Sequence, residues 1–592
     1  MGQFEIVETK SRRNQRLAFL SRYNYEIDMI NIKINPNDTR YMFMVGDEKE
    51  LLKIEKNFNL IPQYQLLPTF PGIPTPEIYI SKLKTKQGVV RYFPTGLWRS
   101  VQLFCEKNNI QTAGWDKKVT HSGDEITYDK FKEVTKDYIN SFNLREYQIK
   151  AAWMIIKYKH SLSELCTRSG KTAIMSCVLQ YLMKNKGIKK PLIIVPSIHL
   201  VKQGVKDFKE YNSFFDMAEV WAGSDMCGSE NCIIGTFQSL VLRADPKSKK
   251  YDPEYFKGID CVVVDEVHRA NCKSIKTILN SPFMKDVRYK FGLTGTLPKE
   301  KSLESYAIQS LMGPKIQEIT AHELVEDGYL ADPIIEQHRI TYSNIEDKMI
   351  ECGEYLLSLY VNKSKPKLPE DQRRFTMIYE KVLPTSLQIA KQRLEKWEYC
   401  EHIKNMCAAA SQTLNLEQLM TMFSKPRLDI MCDIISKLNK NIIIFAHNTE
   451  YIKFLETYMK EKFKDRKILK ITGSTSLKKR QESINEMLDN QNVILIGSFG
   501  CVGTGLTFRN VDYGIFAQSF KSDVINRQSI GRLMLRTEDK KDFHIYDIID
   551  VYPTKKLYNQ GLAKIKTYKE CQYRHEIIKH EAEFQDILLL NQ

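Results

Sequence analysis

The sequence predicts an α/β chain built on two tandem parallel-sheet domains, with a small α+β domain before them, a helical insertion between them and a helical tail. Three observations carry this. Buried-strand runs of four or five residues alternate with helical stretches from 144 to 335 and again from 441 to 552. At 592 residues the chain is too long for one ordinary domain. Its composition, 42% hydrophobic and 27% charged, is that of a globular protein and excludes wholesale disorder and collagen-like or low-complexity architectures.

In chain order, Ile30, Ile32 and Ile34 alternate, break at Asn35-Pro36-Asn37-Asp38 and resume in Tyr41 to Val45, which predicts a β-hairpin. A strand ending at Phe93-Pro94-Thr95-Gly96 precedes a helix with Leu97, Val101, Phe104 and Cys105 on one face. This first domain is expected over 1–115, followed by a polar linker over 116–140. Strands at Leu192–Val195, Cys232–Gly235, Cys261–Val264 and Phe291–Leu293 define a domain over 141–335. A connection with a helical insertion is expected over 336–430. A second series at Asn441–Phe445, Ile468–Thr472, Val493–Ile496 and Tyr513–Ala517 defines a domain over 431–552, and a helical tail over 553–592 completes the chain.

Charge and cysteines narrow the function classes. With 88 Lys plus Arg against 72 Asp plus Glu the net charge is +16, which suits a polyanionic partner such as nucleic acid. The longest apolar candidate, Val493 to Leu506, is broken by four glycines, so no membrane span or membrane partner is expected. The N-terminus lacks the apolar core of a signal peptide. Thirteen scattered cysteines with no Cys-x-x-Cys pair read as reduced thiols. Cys400, His402, Cys407 and Cys432 match no standard zinc spacing and read as ordinary helix positions.

The chemistry sits in two motifs. Thr167-Arg168-Ser169-Gly170-Lys171-Thr172, between a strand and a helix, fits a phosphate-binding loop: backbone N–H groups cradle phosphate, Lys171 adds a point charge and Thr172 can ligate magnesium. Leu165 stands where such loops usually carry their first glycine. About ninety residues on, Val262-Val263-Val264 delivers Asp265 and Glu266 to the carboxyl edge of a sheet, where open α/β sheets bind ligands. Asp265 suits a magnesium ligand, and Glu266 suits a group that orients and polarises the attacking water.

With these residues in place the chain resembles the superfamily 2 helicases with a DExH box, here Asp265-Glu266-Val267-His268, and among them the UvsW-type helicases of tailed phages. The resemblance covers nearly the whole chain and implies two RecA-like domains of the P-loop NTPase fold. Leu144-Arg145-Glu146-Tyr147-Gln148 is similar to the adenine-recognising motif, implying that Arg145 and Gln148 bind the nucleotide. Motifs resembling Ia, Ic and the strand-backbone motif imply nucleic-acid contacts for Pro196, Thr236, Gln238, Gly473 and Ser474. Leu293-Thr294-Gly295-Thr296 resembles motif III, which implies that Thr294 and Thr296, with His268, couple the nucleotide site to the nucleic acid. A motif V resemblance implies roles for Gly503 and Gly505 at the nucleotide and Thr504 at the strand. In a motif VI resemblance, Gln528 and Arg532 are implied at the γ-phosphate, with Arg536 one residue later than the family's second arginine.

The expectation is therefore an ATP- and Mg2+-dependent DNA helicase acting on single-stranded and branched DNA in recombination, repair or replication restart. It is expected as a monomer in the cytoplasm of an infected bacterium, working beside single-strand-binding or recombination proteins. A double-strand translocase without unwinding, an RNA helicase and a non-enzymatic nucleic-acid-binding scaffold are the alternatives.

Overall fold

The computed structural model describes residues 29–35, 40–62, 65, 77–85, 88–115, 123–212, 214–222, 224–225, 230–268, 273–284, 287–363, 383–410, 416–502, 508, 510–518, 522–554 and 556–585. The chain divides into two compact units, Met1–Thr320 and Ala321–Gln592.

The first unit opens with strands β1 (Ile30–Ile34), β2 (Tyr41–Val45), β3 (Ser81–Thr85), β4 (Gly88–Pro94) and β5 (Thr112–Ala113), in the sheet order β3-β4-β2-β1-β5. The expected hairpin is present, with Ile32 opposite Met44. Its alternation buries Ile30, Ile32, Met42 and Met44 in one core with Leu51 and Ile54 of helix Glu48–Phe58 and Val101 and Cys105 of helix Trp98–Lys107.

That core does not close on itself. Tyr306, from helix Leu303–Met312 of the neighbouring domain, is buried within it, its ring centroid 4.8 Å from that of Phe58 and 5.9 Å from that of Tyr79. Tyr79 donates to the Leu303 carbonyl at 3.2 Å and Ser100 to Gln309 Oε1 at 2.6 Å. At Gly96 a β-carbon would fall 2.0 Å from the Gln309 carbonyl oxygen, so only glycine allows the approach. We expect Tyr306→Ala to destabilise the first unit by about 3–5 kcal/mol, as large-to-small core substitutions do, measurable as an earlier calorimetric transition.

Of the segment expected as a linker over 116–140, the described residues 123–140 are instead part of the first α/β domain. They form helix Tyr128–Thr135, and Phe131 and Tyr138, seven residues apart, enter that domain's core. Asp124 accepts from Tyr181 at 2.5 Å and pairs with Lys186 at 2.8 Å. The polar composition belongs to the solvated face of a short amphipathic helix.

The α/β sheet of this unit comprises β6 (His160–Leu165), β7 (Pro191–Val195), β8 (Met217–Trp221), β9 (Ser224–Asp225), β10 (Cys232–Thr236), β11 (Cys261–Asp265), β12 (Tyr289–Thr294) and β13 (Lys315–Ile319), ordered β13-β6-β12-β11-β7-β10-β8-β9. All neighbours are parallel except β8 and β9. The fully buried runs of β7, β10 and β12 are the signature of a sheet covered on both faces.

The second unit has β14 (Asp332–Tyr342), β15 (Asn441–Ala446), β16 (Lys467–Ile471), β17 (Val493–Ser498), β18 (Val511–Phe516), β19 (Asp542–Val551) and β20 (Arg574–Ala582), ordered β16-β17-β15-β18-β19-β14-β20 and parallel throughout. Two boundaries differ from expectation. The unit holding the first α/β domain, expected to run to 335, ends at Thr320, and β14 runs alongside β19 from Asp332↔Asp542 to Thr341↔Val551. Among the described residues the tail is helical over Lys556–Glu570, after which β20 adds to β14 as an edge strand. The insertion is helical, over Ile345–Lys363, Leu383–Arg393, Lys396–Ala410 and Leu416–Phe423, and contributes Met349, Tyr399, Ile403 and Met420 to the unit's core. The Cys400 and Cys407 thiols face the backbone carbonyls of Glu346 and Gly353.

A buried polar centre ties this unit together. Arg427, on helix Lys425–Ser436, has no exposed surface and ion-pairs with Asp550 of β19. It also donates to the carbonyls of Ala517 at 2.6 Å and Ile548 at 2.9 Å. Tyr342 of β14 donates to Asp550 Oδ1 at 2.5 Å. Among the described residues no helix is long and apolar enough to cross a membrane.

Candidate nucleotide and nucleic-acid site

Sheet order lays the predicted residues along one edge. β6 leads into the phosphate loop, its neighbour β12 ends at Thr294, the next strand β11 ends at Asp265, and β7 and β10 beyond it end beside Pro196 and at Thr236. Register holds these ends level: Thr294 lies opposite Glu164, the residue before Leu165, and Asp265 lies opposite Leu293. Because the strands are parallel, every one of these residues emerges at the carboxyl edge.

The loop itself is shaped by its backbone. Gly170 adopts φ 80° as the N-cap of helix Lys171–Lys186, and Arg168 is also left-handed at φ 74°. Gln148 packs against it so closely that a β-carbon on Gly170 would lie 2.2 Å from Gln148 Nε2. Gln148 Nε2 donates to the Ser169 carbonyl at 3.1 Å, and its Oε1 accepts from the Arg145 N–H at 2.9 Å, joining Arg145 and Gln148 to the loop. The Lys171 ammonium is curled onto the carbonyls of Leu165 at 3.2 Å and Cys166 at 3.4 Å. The Ser169 hydroxyl, next to the N-cap Gly170, is buried with no partner among the described residues. Thr167 lies against the backbone of Gly295, so the motif III turn touches the loop.

Thr172, at the end of the loop, and Asp265 line one small cavity of about 30 Å³, which Gln203 and Asp207 also line. Burial and the neighbouring Glu266 carboxylate push the Asp265 carboxyl up to about 6, against the pull of Lys171, the Glu266 N–H and His268. A group strained towards neutrality in this way favours a cation beside it. A hydroxyl and a carboxylate facing one cavity fit magnesium, which takes few protein ligands and completes its shell with phosphate and water.

Glu266 departs from the strand with φ 52°, turning its side chain onto motif III. Thr294, fully buried, donates to Glu266 Oε2 at 3.2 Å and lies 2.9 Å from His268 Nδ1. The Thr296 N–H donates to Thr294 Oγ1 at 3.2 Å. The assignment satisfying all these groups has His268 Nδ1–H donating to Thr294. Thr294 thus links the carboxylate, the histidine and the chain leading to Thr296.

A second cluster stands farther along the edge. Gln238 Nε2 donates to the Pro196 carbonyl at 3.3 Å, and Thr236 caps helix Phe237–Ala244 through the Ser239 N–H at 3.4 Å. In the second unit, Gly473 and Ser474 are exposed at the end of β16, where Arg480 binds the carbonyls of Thr472, Gly473 and Thr475 and holds the turn. Gln528 and Arg532 lie four apart, hence on one face, of helix Asp523–Leu533. That helix ends before Leu535, which bridges to Leu330, and the Arg536 guanidinium lies against Gly328. Helical spacing therefore does not govern where Arg536 points. Gly503, Thr504 and Gly505 lie outside the described residues.

Two residues escaped the sequence reading. Tyr147 donates to the Ser169 carbonyl at 3.0 Å, doubling the grip of Gln148. Glu164 accepts from the Leu297 N–H at 3.0 Å and from Lys315 at 2.6 Å, binding motif III to the strand that enters the loop. Its signal was present: an acid inside a strand that buries most of its neighbours.

This layout defines a phosphate-loop α/β protein with its carboxylates and motif turns on one sheet edge, and sequence comparison places it among known families. Residues 141–299 match the family described as Type III restriction enzyme, res subunit, and residues 426–534 match the Helicase conserved C-terminal domain. Together the two matches support a superfamily 2 helicase architecture. The chain is similar to the ATP-dependent DNA helicase UvsW of Enterobacteria phage T4, 22% identical over 512 residues covering 82% of this chain and 87% of that protein. The Probable ATP-dependent DNA helicase CHR12 of Arabidopsis thaliana is 22% identical over 468 residues, 69% of this chain and 40% of that one. The crystal structure of T4 UvsW aligns at TM-score 0.40 and 18% identity over 93% of this chain and 99% of that one.

Proposed function

We propose that this protein is an ATP-dependent DNA helicase that unwinds or remodels branched DNA in recombination, repair or replication restart. The observation that carries it is the hydrogen-bonded run Glu266–Thr294–Thr296, which joins the hydrolytic carboxylate to a motif on the same sheet edge as Pro196, Thr236 and Gln238. The similarity to UvsW supports DNA as the substrate.

In this reading the loop N–H groups and Lys171 bind the triphosphate, with Arg145 and Gln148 recognising its base. Thr172 and Asp265 hold Mg2+, which supplies charge neutralisation at the phosphates. Glu266 accepts a proton from the attacking water as the water is aligned on phosphorus. Gln528, Arg532 and Arg536, with Gly503 and Gly505, respond to the phosphates' charge. Pro196, Thr236, Gln238, Gly473, Ser474 and Thr504 contact the strand through its phosphates, so movement is independent of sequence. The N-terminal domain meets the branch. Single-strand-binding and recombination proteins are its working partners, and a monomer in the cytoplasm of an infected bacterium is its setting.

The test is ATP hydrolysis with no nucleic acid, single-stranded DNA, forked DNA and RNA, alongside strand displacement. DNA-stimulated turnover abolished by Lys171→Ala, with displacement of a forked strand, is the expected result. Stimulation without displacement would make it a translocase; no turnover in any condition would end the enzymatic reading.

A further inference from the structure

The loop that follows helix Phe237–Ala244 carries Lys247, Lys249 and Lys250 on the surface, and none of the three has an acidic partner among the described residues. The acids nearest in sequence are engaged elsewhere: Asp252 pairs with Arg243 at 3.6 Å, Glu254 with Lys257 at 3.2 Å, and Asp245 Oδ1 accepts the Lys247 N–H at 3.0 Å.

The loop is also built rather than loose. Ser248 N–H donates to the Asp245 carbonyl at 2.9 Å, Tyr251 N–H to the Ser248 carbonyl at 3.1 Å, and Asp252 N–H returns to the Arg243 carbonyl at 3.0 Å. The Arg243 guanidinium, 4.4 Å from the centre of the Tyr255 ring, anchors the base. Beside the lysines Tyr251 and Leu242 are 39% and 42% exposed, so the patch offers apolar contact as well as charge. Solvated surface lysines are ordinarily interspersed with acids; three unpaired ammonium groups on a hydrogen-bonded loop are a preorganised polyanion surface.

The place of the loop says which polyanion. The helix that carries it begins at Thr236, on the strand-binding flank, and its eight residues span about 12 Å. Resting on the functional reading above, we propose that Lys247, Lys249 and Lys250 form an auxiliary clamp for the phosphate backbone of the same nucleic acid, one helix length beyond the strand-end contacts. An ammonium point charge reads no base, so the clamp adds affinity and not sequence preference.

The test measures binding of a single-stranded oligonucleotide and of a duplex across a salt series, by anisotropy, for the full chain and the triple variant Lys247→Ala, Lys249→Ala, Lys250→Ala. Each phosphate neutralised contributes about 0.9 to the slope of log K against log salt on a duplex and about 0.7 on a single strand, so the variant's slope should fall by about 2.7 if the clamp holds a duplex and by about 2.1 if it holds a single strand. A second triple variant, Lys425→Ala, Lys437→Ala, Lys440→Ala, removes the same net charge from lysines already paired with Asp429, Asp433 and Asp512 and should leave the slope near wild type. Equal slopes for the wild type and the first variant on both forms would overturn the clamp. A fall on a phosphorylated acidic peptide with no change on either oligonucleotide would assign the patch to a protein partner and also overturn it. Absence of salt-dependent binding by the wild type would instead defeat the nucleic-acid reading itself.

Discussion

Glu266→Gln is expected to keep nucleotide binding near wild type while lowering ATP turnover by roughly 10²–10⁴-fold, the usual contribution of a positioned general base. The amide still accepts the Thr294 hydroxyl hydrogen, made at 3.2 Å in the native protein, so the turn at φ 52° and the motif III contacts survive the change. What it cannot do is take a proton from water. Titration calorimetry with a non-hydrolysable nucleotide, beside steady-state turnover at saturating single-stranded DNA, separates the two effects. Binding that collapsed in step with turnover would show that Glu266 holds the nucleotide and that its catalytic assignment is wrong.

Arg427→Leu should be the most destabilising single change in the second unit. It strands Asp550, fully buried, with one hydroxyl donor from Tyr342 and frees the carbonyls of Ala517 and Ile548. Removing one partner of a buried pair costs about 3–5 kcal/mol, because the remaining charge stays desolvated. For a unit of this size that corresponds to a Tm lower by on the order of 10 °C. The double variant Arg427→Leu, Asp550→Leu should recover much of the loss, since apolar replacement of both partners is often close to neutral. A double variant as unstable as the single would mean that the lost carbonyl contacts, rather than the orphaned charge, dominate.

The sequence disclosed these features unevenly. The runs Leu192–Val195, Cys261–Val264 and Asn441–Phe445 were legible because strands buried on both faces must be uninterruptedly apolar. β6, β14 and β20 were not. Their sequences HSLSEL, DPIIEQHRITY and RHEIIKHEA mix polar and apolar residues, and β20 is an edge strand with one side in solvent. The phosphate loop and the DExH box were legible because chemistry fixes residue type and spacing locally. Glu164 with Leu297, and Arg427 with Asp550, were invisible because such partners are 133 and 123 residues apart and only the fold brings them together. Arg536, one residue later than the family's second arginine, lies beyond the helix, which stops at Leu533.

The seam at Gly96 and Tyr306 bears on how the protein is to be dissected. A truncation beginning at residue 116 would not liberate a motor from an accessory; it would uncover Tyr306, now only 2% exposed, on a helix stripped of its neighbour. Such a fragment invites aggregation, and a loss of fork preference in it would report a damaged scaffold as readily as a missing branch reader. Surface substitutions on the exposed Lys82 or Lys84 leave Gly96 and Tyr306 unchanged and ask the question cleanly.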